Sequence, residues 1–267
     1  MPNITQLPRA IAGATPFALL TVLIASSPLV SPTDAYAQLQ PPAAEVPSKA
    51  GEPPKVTIQA PKPAPGLTPA QLLARSKGMR AIKLQEFAAA IELLRPIAEA
   101  GDPESQNAVG EILSEGKPGV NVDTVEAAAL FRKAAIQGYA AGQVNLGLML
   151  EHGQGVIRDQ AEAARWYRRA ALEGFAEGQH NLARLYETGK GLTLDLGQAV
   201  FWYAKAVNQN FAPAQYAYGL MHRDGIGVTR NPAEAIRLFR RAASQGMTEA
   251  REALEELEAQ TSTSSRS

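Results

Sequence analysis

The sequence predicts an all-α fold: a right-handed α/α solenoid of helix-turn-helix units with a period of about 36 residues. Three observations carry this reading. Similar segments recur every 35 to 37 residues, starting at Gly66, Gly101, Gly138, Gly174, Asn210 and Gly246. Between these starts, small and apolar residues repeat at i, i+3, i+4 and i+7, the spacing of one helix face. Each full unit also carries a glycine-containing loop followed by an Asp or Asn in the cap position of a second helix.

The first helix of each unit, helix A, holds its packing columns at Gln106, Val109, Gly110 and Leu113, and again at Gln143, Leu146, Gly147 and Leu150. The columns continue at Gln179, Leu182, Ala183 and Tyr186, then Gln215, Tyr218, Gly219 and His222. Glycine inside a helix costs about 1 kcal/mol, so its recurrence in one column predicts close approach by helix B. The loops Gly153-Gln-Gly155, Gly189-Lys-Gly191 and Gly225-Ile-Gly227 follow helices rather than strands, so they are read as helix ends and not as phosphate cradles. Helix B then opens with Asp123…Glu126, Asp159…Glu162, Asp195…Gln198 and Asn231…Glu234, each expected to be a reciprocal capping box. Its columns are Ala127/Ala163/Ala199/Ala235, Leu130/Trp166/Trp202/Leu238 and Phe131/Tyr167/Tyr203/Phe239. Large rings at one level over alanines at the next predict interlocking core packing.

Five units are expected, at 66–100, 101–137, 138–173, 174–209 and 210–245. The first departs most from the pattern. A strongly acidic cap helix follows over 246–260, supplying the polar end a repeat array requires, and 261–267 reads as a disordered tail. Upstream, the apolar run Phe17–Ala25 is too short to span a bilayer and precedes Ala35-Tyr36-Ala37, so 1–37 reads as a signal peptide cleaved after Ala37. The proline-dense stretch 38–65 reads as a disordered linker. Export implies a periplasmic or secreted protein, with no membrane insertion after cleavage.

Composition narrows the function. Lys plus Arg and Asp plus Glu number 26 each, a net charge of zero that argues against a nucleic-acid binder or a polybasic membrane anchor. There is no cysteine, which removes disulfides, thiolate metal sites and thiol catalysis. The three histidines, His152, His180 and His222, form no metalloprotease pattern, and no nucleophile elbow is present. The expectation is therefore no enzyme, no catalytic residue, no cofactor and no metal.

The 36-residue period, the helix A pattern G-x-A-x-x-Q-x-x-L-G, the loop G-x-G-V and the helix B pattern E-A-x-x-W-Y-x-x-A-A resemble the Sel1-like repeat family, a relative of the tetratricopeptide repeats. The match is fullest over 138–173, where Ala140, Gln143, Leu146, Gly147, Gly153, Gly155, Val156, Glu162, Ala163, Trp166, Tyr167, Ala170 and Ala171 all fit. The resemblance implies an adaptor or signalling regulator that binds a protein or peptide partner in the cell envelope, such as a membrane sensor. It also leaves a second possibility, a peptidoglycan or polysaccharide accessory protein or weak hydrolase built on the same groove. A monomer is expected.

In such solenoids helix A lines the concave face. Its columns facing away from the core vary between units, as a specific groove needs. They give the candidate partner-binding residues Asn107, Glu111, Val144, Leu148, Glu151, His152, His180, Arg184, Glu187, Tyr216, Leu220, Arg223 and Asp224. A second, basic column on helix B comprises Lys133, Arg169, Lys205 and Arg241, with Arg132, Arg168 and Arg240 beside it. Its position near helix C-termini suits the helix macrodipole.

Overall fold

The computed structural model describes residues 66–264; the expected signal peptide and linker lie outside these residues. Among the described residues there are eleven helices and no strand. They pair as α1 (Pro69–Lys83) with α2 (Phe87–Glu99), α3 (Pro103–Glu115) with α4 (Thr124–Ile136), and α5 (Ala140–His152) with α6 (Gln160–Leu172). The pairs continue as α7 (Ala176–Thr188) with α8 (Leu196–Asn208) and α9 (Ala212–Asp224) with α10 (Pro232–Ala243), closed by the cap helix α11 (Thr248–Ser264). Each helix packs on its chain neighbours. Helices A of successive units also approach one another, α3 with α5 and α5 with α7, more closely than helices B do, so the solenoid curves with its A helices inside.

The packing columns read from the sequence are the core. One apolar cluster runs from Leu94 to Leu238 through the full units. Gly147 shows why its column holds glycine. A Cβ there would lie 2.5 Å from the Tyr167 ring, and Gly110 and Gly219 sit under Phe131 and Phe239 in the same way. The loop glycine Gly155 has a second reason. A Cβ on it would fall 2.0 Å from the Thr124 carbonyl oxygen, because each loop presses on the start of the preceding helix B.

Polar ties join the units. The core glutamine Gln106 donates to the Ala98 carbonyl of the preceding unit at 2.9 Å and accepts from Gln137 at its own unit's far end at 2.8 Å. Gln179 repeats the relay with Ala171 and Gln209. In the unit between them Glu173 replaces the donor, so Gln143 turns its amide N–H to that carboxylate at 3.1 Å and its own oxygen is buried without a partner.

Two expectations change, the capping boxes and the end of the cap helix, and the first unit departs from the pattern in its own way. The side chains of Asp123, Asp159, Asp195 and Asn231 cap helices B as expected, but the reciprocal arm is absent there. Glu126 and Glu162 instead reach arginines of the preceding unit, Arg95 and Arg132, because an ion pair across the stack outcompetes a local amide bond. The box that closes in both directions is Thr68–Gln71. Consequently Gln71 does not stand in the core-glutamine column; the glycine under helix B in the first unit is Gly78, beneath Leu94, because the α1–α2 connection is shorter than those that follow. Finally, the cap helix continues past the expected boundary to Ser264, leaving 265–267 outside the described residues.

Candidate partner-binding groove

Helices α3, α5, α7 and α9 line the inner face. Position by position, the row five residues beyond the core glutamine is Glu111, Leu148, Arg184 and Leu220: acidic, aliphatic, basic and aliphatic along one line. All four retain access to solvent. The row's chemistry differs in each unit while the glutamine and ring positions behind it stay fixed.

The centre of the groove is a buried charge cluster. Glu151 at the end of α5 is 4% exposed. Arg184 of the next unit holds it with both guanidinium arms, at 2.8 and 2.6 Å, and the Tyr167 hydroxyl donates to it at 3.0 Å. Burial alone would raise the Glu151 pKa; the Arg184 and Tyr167 hydrogen bonds and the arginine charge override it and hold the carboxylate below its usual range. Arg184 is correspondingly raised by its hydrogen bond to Glu151. Burial, with the Glu151 charge adding to it, drives the Tyr167 hydroxyl far above its usual value, so it remains a donor. The next unit repeats half of the motif, with the Tyr203 hydroxyl donating to Glu187 at 2.7 Å.

His180 lies beside this cluster, its ring 5.6 Å from that of Tyr203 and 5.7 Å from Phe211. Its Nδ1 is buried without a hydrogen-bond partner among the described residues. Burial, reinforced by the Arg184 charge, pushes its pKa down to about 4, so the ring is neutral at pH 7.

The N-terminal part of the groove is acidic and amide-rich. Asn107 donates to Glu111 at 2.9 Å, and Asn145 donates to Asn107 at 2.9 Å and to Glu111 at 3.2 Å. Burial and the Glu111 charge raise the Glu177 carboxyl. At the C-terminal part Arg223 pairs with its neighbour Asp224 at 2.7 Å. His222 packs edge-on against Tyr218 of the same helix, ring centroids 4.6 Å apart.

The structure brings most of the sequence-derived candidates to this face, with corrections. Val144 is a core residue, 2% exposed, because its column packs against the helices behind it, as the rings of His180 and Tyr216 do against Tyr203 and Phe239. Asn107 is buried and serves the amide cluster. Tyr216 and Leu220 are half-covered by the apolar side of the cap helix, in a cluster with Phe239, Ala253 and Leu257. Glu111, His152 and Asp224 are exposed; Leu148, Arg184, Glu187 and Arg223 are partly so. The Tyr–Glu coupling was missed from sequence, although comparing units would have exposed it. Tyr167 and Tyr203 accompany Glu151 and Glu187, whereas the Phe131 and Phe239 units have Ser114 and Arg223 at the matching position. Among the described residues no three His, Asp or Glu side chains gather where a metal could be held.

A curved stack of helix pairs with unit-specific chemistry on its inner face defines an α-solenoid interaction module. Four consecutive stretches, 103–139, 140–175, 176–211 and 212–247, match the Sel1 repeat, and the chain belongs to the Sel1 repeat family. Sel1 repeat proteins bind protein partners and are generally non-enzymatic scaffolds. The fold is similar to that of a Sel1 repeat protein from Oxalobacter formigenes, with 30% identity and a TM-score of 0.63 over 70% of this chain and 74% of that one. It is also similar to c5321, a protective antigen of uropathogenic Escherichia coli with an SLR fold, at 30% identity and a TM-score of 0.61. That match covers 69% of this chain and 40% of the antigen, so the chain spans well under two thirds of its length. The immunity protein PA5088 of Pseudomonas aeruginosa shares the fold, at 21% identity and a TM-score of 0.51 over 70% of this chain and 69% of that one. No protein of curated function matches the sequence.

Proposed function

We propose that the protein is an exported adaptor or regulator that holds a segment of a cell-envelope protein, such as a membrane sensor, in the groove formed by its A helices. The observation that carries this reading is the contrast between columns. Positions that build the stack repeat their chemistry, whereas Glu111, Leu148, Arg184 and Leu220 vary along one accessible line. An accessible inner row that changes from unit to unit, in front of packing columns that stay constant, is an arrangement that lets a solenoid read a particular partner. The Arg184–Glu151–Tyr167 cluster supports it by fixing the angle between the two middle units, so that the partner meets a prepared surface rather than a flexible one.

Export rests on the apolar run and the Ala35-Tyr36-Ala37 site, and places the working protein in the periplasm or outside the cell. N-terminal sequencing of the protein from its host tests this point: the mature chain begins at Gln38, and a retained Met1 would reject it. The groove is tested with a photo-crosslinking side chain at position 148. The expected product is one predominant adduct with an envelope protein, weakened by Glu111→Lys. Adducts with glycan fragments instead would move the assignment to the envelope-polymer reading.

A further inference from the structure

The chain's zero net charge conceals a concentration of basic residues on four of the outer helices. Helices B, on the outer face, carry Arg132, Lys133, Arg165, Arg168, Arg169, Lys205, Arg237, Arg240 and Arg241. Their carboxylates Glu126, Glu162 and Glu234 are each already engaged, by Arg95, Arg132 and Arg237. Lys133, Arg165, Arg169 and Lys205 are exposed, and among the described residues none has a carboxylate within ion-pair distance. Arg169 and Lys205 lie over the rings of Trp166 and Phe201, at 4.4 and 4.9 Å, contacts that leave the charges uncompensated.

The helix macrodipole accounts for part of this pattern, since basic residues occupy the last turn of α4, α6, α8 and α10 and also of the inner helices α1 and α9. It does not account for Arg165, which lies outside the last turn of α6, nor for the side chains that surround these cations.

Apolar side chains accompany the cations. Ile136 is 63% exposed, Leu172 43% and Phe201 38%. They lie three or four residues from Lys133, Arg169 and Lys205, on the same side of their helices. A soluble polyanion would be served by the cations alone. Cations interleaved with exposed aliphatic and aromatic groups match a surface that offers negative headgroups above hydrocarbon. We propose that the outer face of helices α4, α6 and α8 docks peripherally on an anionic phospholipid bilayer, leaving the groove open on the opposite side. No helix among the described residues is long and apolar enough to cross a membrane, so the contact is with the surface.

The test is co-sedimentation of the protein, purified in the form its host produces, with vesicles of phosphatidylcholine alone or with about a third phosphatidylglycerol. Binding is expected only to the anionic vesicles and is expected to weaken steeply with salt. The triple variant K133Q/R169Q/K205Q should lower the affinity roughly a hundredfold, each surface cation being worth about fivefold. These side chains are exposed, so the melting temperature should not move. I136S/L172S should also weaken binding, while leaving the salt dependence intact. Unchanged binding in the triple variant, or no preference for anionic vesicles, overturns the proposal. So does equal binding to a soluble polyanion such as dextran sulfate with no effect of I136S/L172S. The groove crosslink at position 148 is independent of every one of these outcomes.

Discussion

The two middle units, 138–173 and 174–209, differ from the units on either side in one coupled pair of positions. In the middle units the ring seated on helix A is tyrosine, and its hydroxyl donates to a glutamate at the end of that helix: Tyr167 to Glu151 and Tyr203 to Glu187. In the outer units the ring is Phe131 or Phe239, and the matching helix A position holds Ser114 or Arg223. A phenylalanine asks nothing of its neighbour, so that position is free to face solvent. A tyrosine hydroxyl buried at the same depth requires an acceptor. The carboxylate that answers it must in turn be compensated, and Arg184 does so across the unit boundary. One added oxygen per unit thus converts an apolar stack into a wired one, and the wiring lies in the groove.

This difference can be broken by degrees. The largest effect is expected from Arg184→Leu, which strands Glu151 in the interior; urea unfolding should show a loss of about 3 kcal/mol. Arg223→Ala, which removes an arginine from an exposed pair in an outer unit, should cost well under about 1 kcal/mol. Equal costs for the two would refute the contrast between inner and outer units.

Acidification should strike the middle of the array next. His180 has a folded-state value of about 4, below the usual 6.5. Between those values the unfolded chain binds more protons than the folded one, so stability is full above pH 6.5 and declines as the pH falls toward 4. The decline attributable to His180 amounts to about 3 kcal/mol. Replacing the ring by His180→Phe should flatten this part of the stability–pH curve. A curve of unchanged slope would show that the ring is not held neutral.

Smaller effects distinguish the two tyrosines. Tyr167→Phe should cost about 2 kcal/mol, since it removes a donor from a fully buried carboxylate, and Tyr203→Phe about 1 kcal/mol, because Glu187 is partly exposed. The reverse order in thermal unfolding would count against the assigned burial. Last, Glu173→Gln should stabilise by about 1 kcal/mol. It supplies the amide found at Gln137 and Gln209 and gives the buried Gln143 oxygen a donor. A destabilised variant would mean that the relay does not transfer between units.

The fold was legible in the sequence because a repeat states each packing demand several times. Gly110, Gly147 and Gly219 under their rings, and the loop glycines, needed only to be set in register. Where the repeat weakened, so did the reading. The shorter first connection displaced Gln71 from the core column and put Gly78 under helix B. Much of the groove was legible too, but Val144 was not, since the column it shares with Asn107, His180 and Tyr216 lies at the edge of the interface and packs inward. The acidic partners Glu126 and Glu162 look like local caps in one dimension and become inter-unit ties in three. Net charge misled for a similar reason: a sum over the chain hides the unpaired cations gathered on helices α4, α6 and α8.

The proposed point of contact with the partner is the variable row on the inner face. It is tested most directly by placing the same photo-crosslinking side chain at position 148 in the groove and at position 165 on the outer face, in the native host. An adduct with one envelope protein is expected from 148, and none with that protein from 165. The same adduct from both positions, or from 165 alone, would contradict it.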